Sequence, residues 1–109
     1  MSKYHAQKTT VFGITFDSKK EAERYLYLRS LLKRGEIQNL QRQVKFVLIP
    51  TQRDENGKLL EKERSYYADF VYYQNGQMIV EDVKGMKTEL YKLKRAMMLK
   101  EHKIRIKEV

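Results

Sequence analysis

A mixed α/β domain is what this sequence predicts: one helix ahead of three strands, then a second helix and a last strand. Three observations carry that expectation. "DSKKEAERYLYLRSLLKRGEI" has apolar residues at helical spacing between two stop signals. "RSYYADFVYY" and "QMIVEDVKG" are β-rich runs joined across Asn75 and Gly76, and Asn-Gly is the strongest short hairpin signal. "ELYKLKRAMMLKEHK" then separates the third strand from the alternating "IRIKEV". A helix between two strands permits a right-handed crossover, so the third and fourth strands should run parallel in a mixed four-stranded sheet flanked by helices.

Each element has its own warrant. Residues 1–10, "MSKYHAQKTT", read as a basic arm whose Lys3, Tyr4, His5 and Lys8 would order on nucleic acid. "VFGITF" predicts a short strand pair around Gly13. In the first helix Ser18 is the N-cap, Glu21 completes a capping box, Tyr25, Leu28 and Leu32 form the apolar stripe, and Gly35 is the stop. "NLQRQVKFVLIP" is a strand ending at Pro50, joined through the polar turn "DENGK" to the next run as a hairpin. Thr88 caps the second helix, for which Leu90, Leu93 and Met97 are the expected buried stripe.

The 109 residues suit one domain, 1–109, with a single core. No apolar run approaches bilayer-spanning length and the N-terminus carries no signal-peptide pattern, so a cytoplasmic location is expected. The absence of Cys excludes disulfides, thiolate metal sites and Cys nucleophiles. His5 and His102 have no partner at metal-ligand spacing, which leaves carboxylates and hard cations. Twenty-three Lys and Arg against 14 Asp and Glu give a net charge of +9, pointing to a polyanionic partner. The basic excess gathers after residue 84, where Lys87, Tyr91, Lys92, Lys94 and Arg95 are candidate nucleic-acid contacts; a merely solvated helix face is the plainer explanation for any one of them.

The Asn-Gly bend fixes a register. With Asn75 and Gly76 as its central residues, Tyr73 faces Met78, Val71 faces Val80 and Asp69 faces Asp82. Period-two alternation puts Asp69 and Asp82 on one face with those apolar residues and Lys84. Opposed carboxylates about 5 Å apart repel by roughly 3 kcal/mol at an effective dielectric near 20, and Lys84, about 8 Å from Asp69, returns roughly 2. A divalent cation would resolve the conflict, and two carboxylates completed by water and phosphate oxygens is a common Mg²⁺ site. If solvent reaches the pair, the repulsion falls below about 1 kcal/mol and no ion is needed.

With "SKKEAERYL", "YADF" and "VEDVKG" in place, nearly the whole chain resembles the PD-(D/E)XK, or restriction-endonuclease-like, nuclease superfamily, and within it a small phage and prophage family of uncharacterised proteins. The resemblance implies the αβββαβ core and Mg²⁺-dependent cleavage of nucleic acid, with Mn²⁺ as substitute. It matches Asp69 and Asp82 to the motif acids, Lys84 to the motif Lys, Glu21 to the acid of the first helix, and the Val83 carbonyl to a further metal ligand. Ala68 stands where the motif name has Pro. Gln43 and Lys45 are further candidates to reach the site from the first long strand.

The functional expectation is a DNA endonuclease, selective for structure in the manner of Holliday-junction resolvases, acting on branched, duplex or single-stranded DNA as a possible homodimer in phage recombination or replication. Lys84 between two carboxylates suits holding the attacking water and stabilising charge better than acting as a base. A non-catalytic nucleic-acid-binding or adaptor protein on the same fold is the alternative, and an RNA-processing enzyme a third.

Overall fold

The structure, a computed structural model, describes residues 7–109, so Lys3, Tyr4 and His5 of the basic arm lie outside the described residues. Its strands and helices run β1 (Thr9–Val11), β2 (Ile14–Phe16), α1 (Lys19–Lys33), β3 (Gln38–Ile49), β4 (Gln52–Arg53), β5 (Leu59–Glu61), β6 (Arg64–Gln74), β7 (Gln77–Asp82), α2 (Glu89–His102) and β8 (Lys107–Glu108). The principal sheet has the order β3-β6-β7-β8, and β7 and β8 are parallel, with Glu81 opposite Lys107 and Asp82 opposite Glu108. Over the described residues the chain is therefore α+β with two helices and a four-stranded mixed sheet. β1-β2 and β4-β5 each form a two-stranded ribbon of their own. The chain divides into two compact units, residues up to Leu40 with Tyr72–Met78, and Gln41–Val71 with Ile79–Val109.

In the first unit, Thr9 and Thr10 pair with Phe16 and Thr15, so the strand begins inside the stretch expected to be a polar arm. Helix α1 starts where the sequence says: the Ser18 hydroxyl accepts the Glu21 N–H at 3.1 Å. It stops in a Schellman arrangement, with the N–H groups of Gly35 and Glu36 donated to the Leu32 and Leu31 carbonyls at 3.0 and 2.9 Å. Gly35 takes φ +77°, where a side chain would be strained. The buried line is Ala22, Tyr25, Leu28 and Leu31, while Leu32 is 36% exposed. Steps of three rather than a final step of four slant the stripe across the helix, and that corrects the expected place of Leu32. Phe16 of β2 packs on Tyr25, ring centroids 5.1 Å apart.

The second unit holds its core between strands and α2: Leu48, Tyr66, Ala68, Val71, Val80, Tyr91 and Met98 are all buried. The expected stripe of α2 is corrected here. Tyr91 and Met98, two turns apart, face the core, and Leu90 and Leu93 are exposed; Met97 is packed at the edge of the cluster. Both faces of this helix are apolar enough to be buried, and the face chosen gives the Tyr91 hydroxyl a half-buried partner, the Glu108 carboxylate at 2.7 Å. The third long strand also stops earlier than expected, at Asp82. Beyond it the chain remains tied to the C-terminus: Val109 N–H donates to the Asp82 carbonyl at 3.0 Å and Lys84 N–H to the Val109 carbonyl at 3.2 Å. "DENGK" forms the turn of the β4-β5 ribbon, where Asp54 Oδ1 accepts from the Asn56 and Lys58 N–H groups.

The face reversal of α2 predicts an order of stabilities. In urea denaturation Met98→Ala should cost about 2–5 kcal/mol, and Leu93→Ala no more than about 0.5 kcal/mol. The opposite order would mean that the Leu90–Leu93 face is the buried one.

Candidate functional site

The two acids of the β6-β7 hairpin meet, and the turn that joins them explains why. Asn75 and Gly76 take φ +52° and +77°, the signs of a type I′ turn, whose twist suits a tight antiparallel pair. Asp69 reaches the end of β7, where its Oδ2 accepts the N–H of Val83, the residue after Asp82, so the two carboxyls are neighbours and Asp69 opposes the charge of Asp82. Asp69 is fixed at both oxygens: the Gln43 side-chain amide donates to Oδ1 at 3.1 Å, and the Val83 N–H donates to Oδ2 at 2.9 Å. Gln43 sits in the interior of β3 with φ +49°, a left-handed conformation rare for a residue without Asn or Gly chemistry. That irregularity lies at the residue whose amide holds the site acid. Lys45 instead forms an ion pair with Glu63.

Asp82 is only 2% exposed. Burial first, then the neighbouring Asp69 carboxyl, pushes it up to about 7, with Lys84 pulling the other way. Lys84 Nζ forms an ion pair with Asp82 Oδ2 at 3.0 Å, and this buried oxygen has no hydrogen-bond partner among the described residues. The Tyr66 hydroxyl is likewise buried without a hydrogen-bond partner among the described residues, and the nearby Asp82 charge adds to burial in opposing its ionisation. On its other side Lys84 rests against the Tyr91 ring, 4.1 Å from the centroid. Tyr91 is thus a buried support for Lys84, away from the solvent-facing role expected of it.

The remaining expected residues are distributed as follows. Glu21 belongs to the other unit, in the first turn of α1, and is 7% exposed. Lys87 and Arg95 pair with Glu108 at 3.2 and 2.9 Å, and Lys92 pairs with Glu89 at 3.0 Å; Lys94 is half-buried. Hydrogen bonds from Tyr91 and then Arg95 hold Glu108 down at about 2. His102 is a structural contact, its Nε2 2.7 Å from the Val47 carbonyl oxygen. Sequence reasoning missed Tyr66, which lies an odd number of residues from Asp69 and would be turned away by strict alternation. It also passed over Glu81, fully buried and 3.9 Å from Lys107 Nζ.

A family model described as "Protein of unknown function (DUF1064)" matches residues 1–108. The chain belongs to the DUF1064 family. No curated protein and no solved structure matches it.

The chemistry of the donor set suits one kind of ion. Among the described residues no group of three or more His, Cys, Asp or Glu side chains is placed to hold a metal. Two carboxylates with an orphaned buried oxygen are too few for a closed Zn²⁺ or Ca²⁺ cage, and they fit Mg²⁺, which keeps several waters and takes one or two protein carboxylates.

A sign follows for stability. The folded protein holds the Asp82 proton more tightly than the unfolded chain, so without divalent ions stability falls as pH rises from about 4 to about 7 and is flat above. Asp82→Asn should therefore raise Tm at pH 8 by several degrees, since about 1 kcal/mol moves a domain of this size by about 4–8 °C. Mg²⁺ should raise the wild-type Tm at pH 8 and leave that variant unmoved. A thermal scan in which Asp82→Asn is less stable at pH 8 and as responsive to Mg²⁺ as the wild type would contradict the site.

Proposed function

We propose that this chain is a Mg²⁺-dependent nuclease of the PD-(D/E)XK type that hydrolyses DNA phosphodiesters. The observation that carries the reading is that Asp69 accepts the Val83 N–H at 2.9 Å, one residue past Asp82, while Lys84 Nζ lies 3.0 Å from Asp82, so two acids and a lysine share one place. Asp69 and Asp82 would hold the ion, with the Val83 carbonyl as a further ligand by the superfamily resemblance. When bound, Mg²⁺ supplies Lewis-acid polarisation of a phosphoryl oxygen and a more acidic water.

The chain's own groups do the rest. Gln43 and the Val83 N–H keep the Asp69 oxygens oriented, so that little reorganisation is needed when the ion arrives. Lys84, held between Asp82 and the Tyr91 ring, brings an ammonium to the place where the attacking water and the developing phosphoryl charge would lie. In the reaction the water oxygen bonds to phosphorus, the bond from phosphorus to the departing sugar oxygen breaks, and that oxygen gains a proton. The +9 charge supports salt-sensitive, sequence-independent phosphate binding. A chain of 109 residues has little surface for reading sequence, which favours shape-selective substrates such as branched DNA, and a homodimer would serve two-strand cutting. Among the described residues no helix is long and apolar enough to cross a membrane; a cytosolic role in a phage-infected or prophage-bearing cell is part of the proposal.

One observation favours the second reading, a nucleic-acid-binding or adaptor protein on this fold. Asp82 already has Lys84 beside it, so its charge is countered without an ion. The readings separate on a panel of branched, duplex and single-stranded DNA, with RNA beside it. Cleavage should need Mg²⁺ or Mn²⁺, stop in EDTA, and fall by at least about a hundredfold in Lys84→Ala with DNA binding retained. Tight binding with no metal-dependent cleavage on any substrate would leave the adaptor reading.

A further inference from the structure

The first unit contains two tight turns with nearly the same backbone. Asn75-Gly76 has φ values of +52° and +77°, and Phe12-Gly13 has +52° and +76°. Both have the two positive φ angles of a type I′ turn, which strongly favours Asn, Asp or Gly at its first central position. Asn75 meets that preference and Phe12 does not. A bulky residue in the left-handed region is a genuine outlier, and such strain persists where the residue is wanted for something else.

Packing does not explain the phenylalanine, because Phe12 is 67% exposed. Its ring nevertheless has a defined neighbour. The Arg29 guanidinium carbon of α1 lies 4.9 Å from the ring centroid, and Arg29 Nη1 donates to the Tyr25 hydroxyl at 3.1 Å. Tyr25 is itself packed on Phe16, at the end of the same ribbon. The ribbon is closed across its strands by the Thr10 and Thr15 hydroxyls, 3.0 Å apart. A guanidinium fixed from behind therefore backs an aromatic ring whose remaining surface is open to water.

An exposed aromatic beside a fixed cation is the pairing that binds single-stranded nucleic acid: bases stack on the ring, and the cation serves the phosphate or the base face. We infer that the Phe12–Arg29 pair at the tip of the β1-β2 ribbon is a stacking platform for an unpaired nucleobase of DNA. This rests on the nuclease reading for its partner, and adds to it a preference for strands that offer unstacked bases. The +9 charge of the chain is complementary to such a partner. A duplex, whose bases are stacked on one another, offers the ring nothing.

Phe12→Asn separates platform from scaffold, because Asn is the better turn former. Binding is measured by fluorescence anisotropy in EDTA, so that no cleavage is needed, with oligothymidylate of about twenty nucleotides and a blunt duplex of the same length. The variant should keep or raise the Tm, bind oligothymidylate about tenfold more weakly and bind the duplex unchanged, while Phe12→Trp binds the single strand at least as well as the wild type. A strand carrying 2-aminopurine should be quenched by the wild type and not by Phe12→Asn. If wild type and Phe12→Asn bind oligothymidylate equally, or if the loss is equal on the duplex, the platform is overturned and the nuclease reading stands. If the wild type binds neither DNA, both fall.

Discussion

A buried carboxyl, Asp82, with a second and half-buried one beside it is the constraint around which this site is arranged. Asp82 is almost wholly buried and Asp69 lies against it, and burial with that neighbour raises the Asp82 carboxyl into the neutral range. Like charges at this separation cannot both ionise cheaply in a low-dielectric setting. The surroundings are then intelligible as responses to that conflict. Gln43 and the Val83 N–H satisfy Asp69, Lys84 opposes the charge of Asp82, and one Asp82 oxygen has no hydrogen-bond partner among the described residues. A carboxyl shifted by burial together with a specific charged neighbour marks a candidate site.

The C-terminus acts on the same place. Val109 pairs through its N–H with the Asp82 carbonyl and through its own carbonyl with the Lys84 N–H, so the last residue brackets the segment carrying both groups. Glu108, one residue earlier, receives the Tyr91 hydroxyl and Arg95, and the Tyr91 ring in turn supports the Lys84 ammonium. A helix and the final strand thus position a lysine that lies beyond the end of its own strand. Two of the cations expected to meet phosphate, Lys87 and Arg95, are engaged with Glu108, and their charge is partly spent inside the protein.

What could be read from the sequence was whatever is written in short-range chemistry. Ser18 and Gly35 bound α1 because a hydroxyl and a missing side chain meet backbone needs that any context imposes. Asn75-Gly76 fixed the hairpin for the same reason, and with it the meeting of Asp69 and Asp82. The parallel β7-β8 pair followed from chain handedness. The failures were decided by tertiary partners. Helix α2 has apolar residues on both faces, and the choice between them turned on a hydroxyl–carboxylate contact seventeen residues away in sequence. The Asp82 charge acts on Tyr66 although alternation would turn that ring away, and Gln43 holds Asp69 from a position whose residue type gives no warning of a positive φ.

The account stands on the claim that Asp69 and Asp82 take one divalent ion between them. A crystal soaked in Mn²⁺ and measured for anomalous scattering tests it most directly. The account predicts a single strong peak bonded to an oxygen of each carboxyl at about 2.1–2.2 Å, with the remaining positions filled by water. Asp69 and Asp82 without density between them, at neutral to alkaline pH and with manganese bound elsewhere on the molecule, would contradict it.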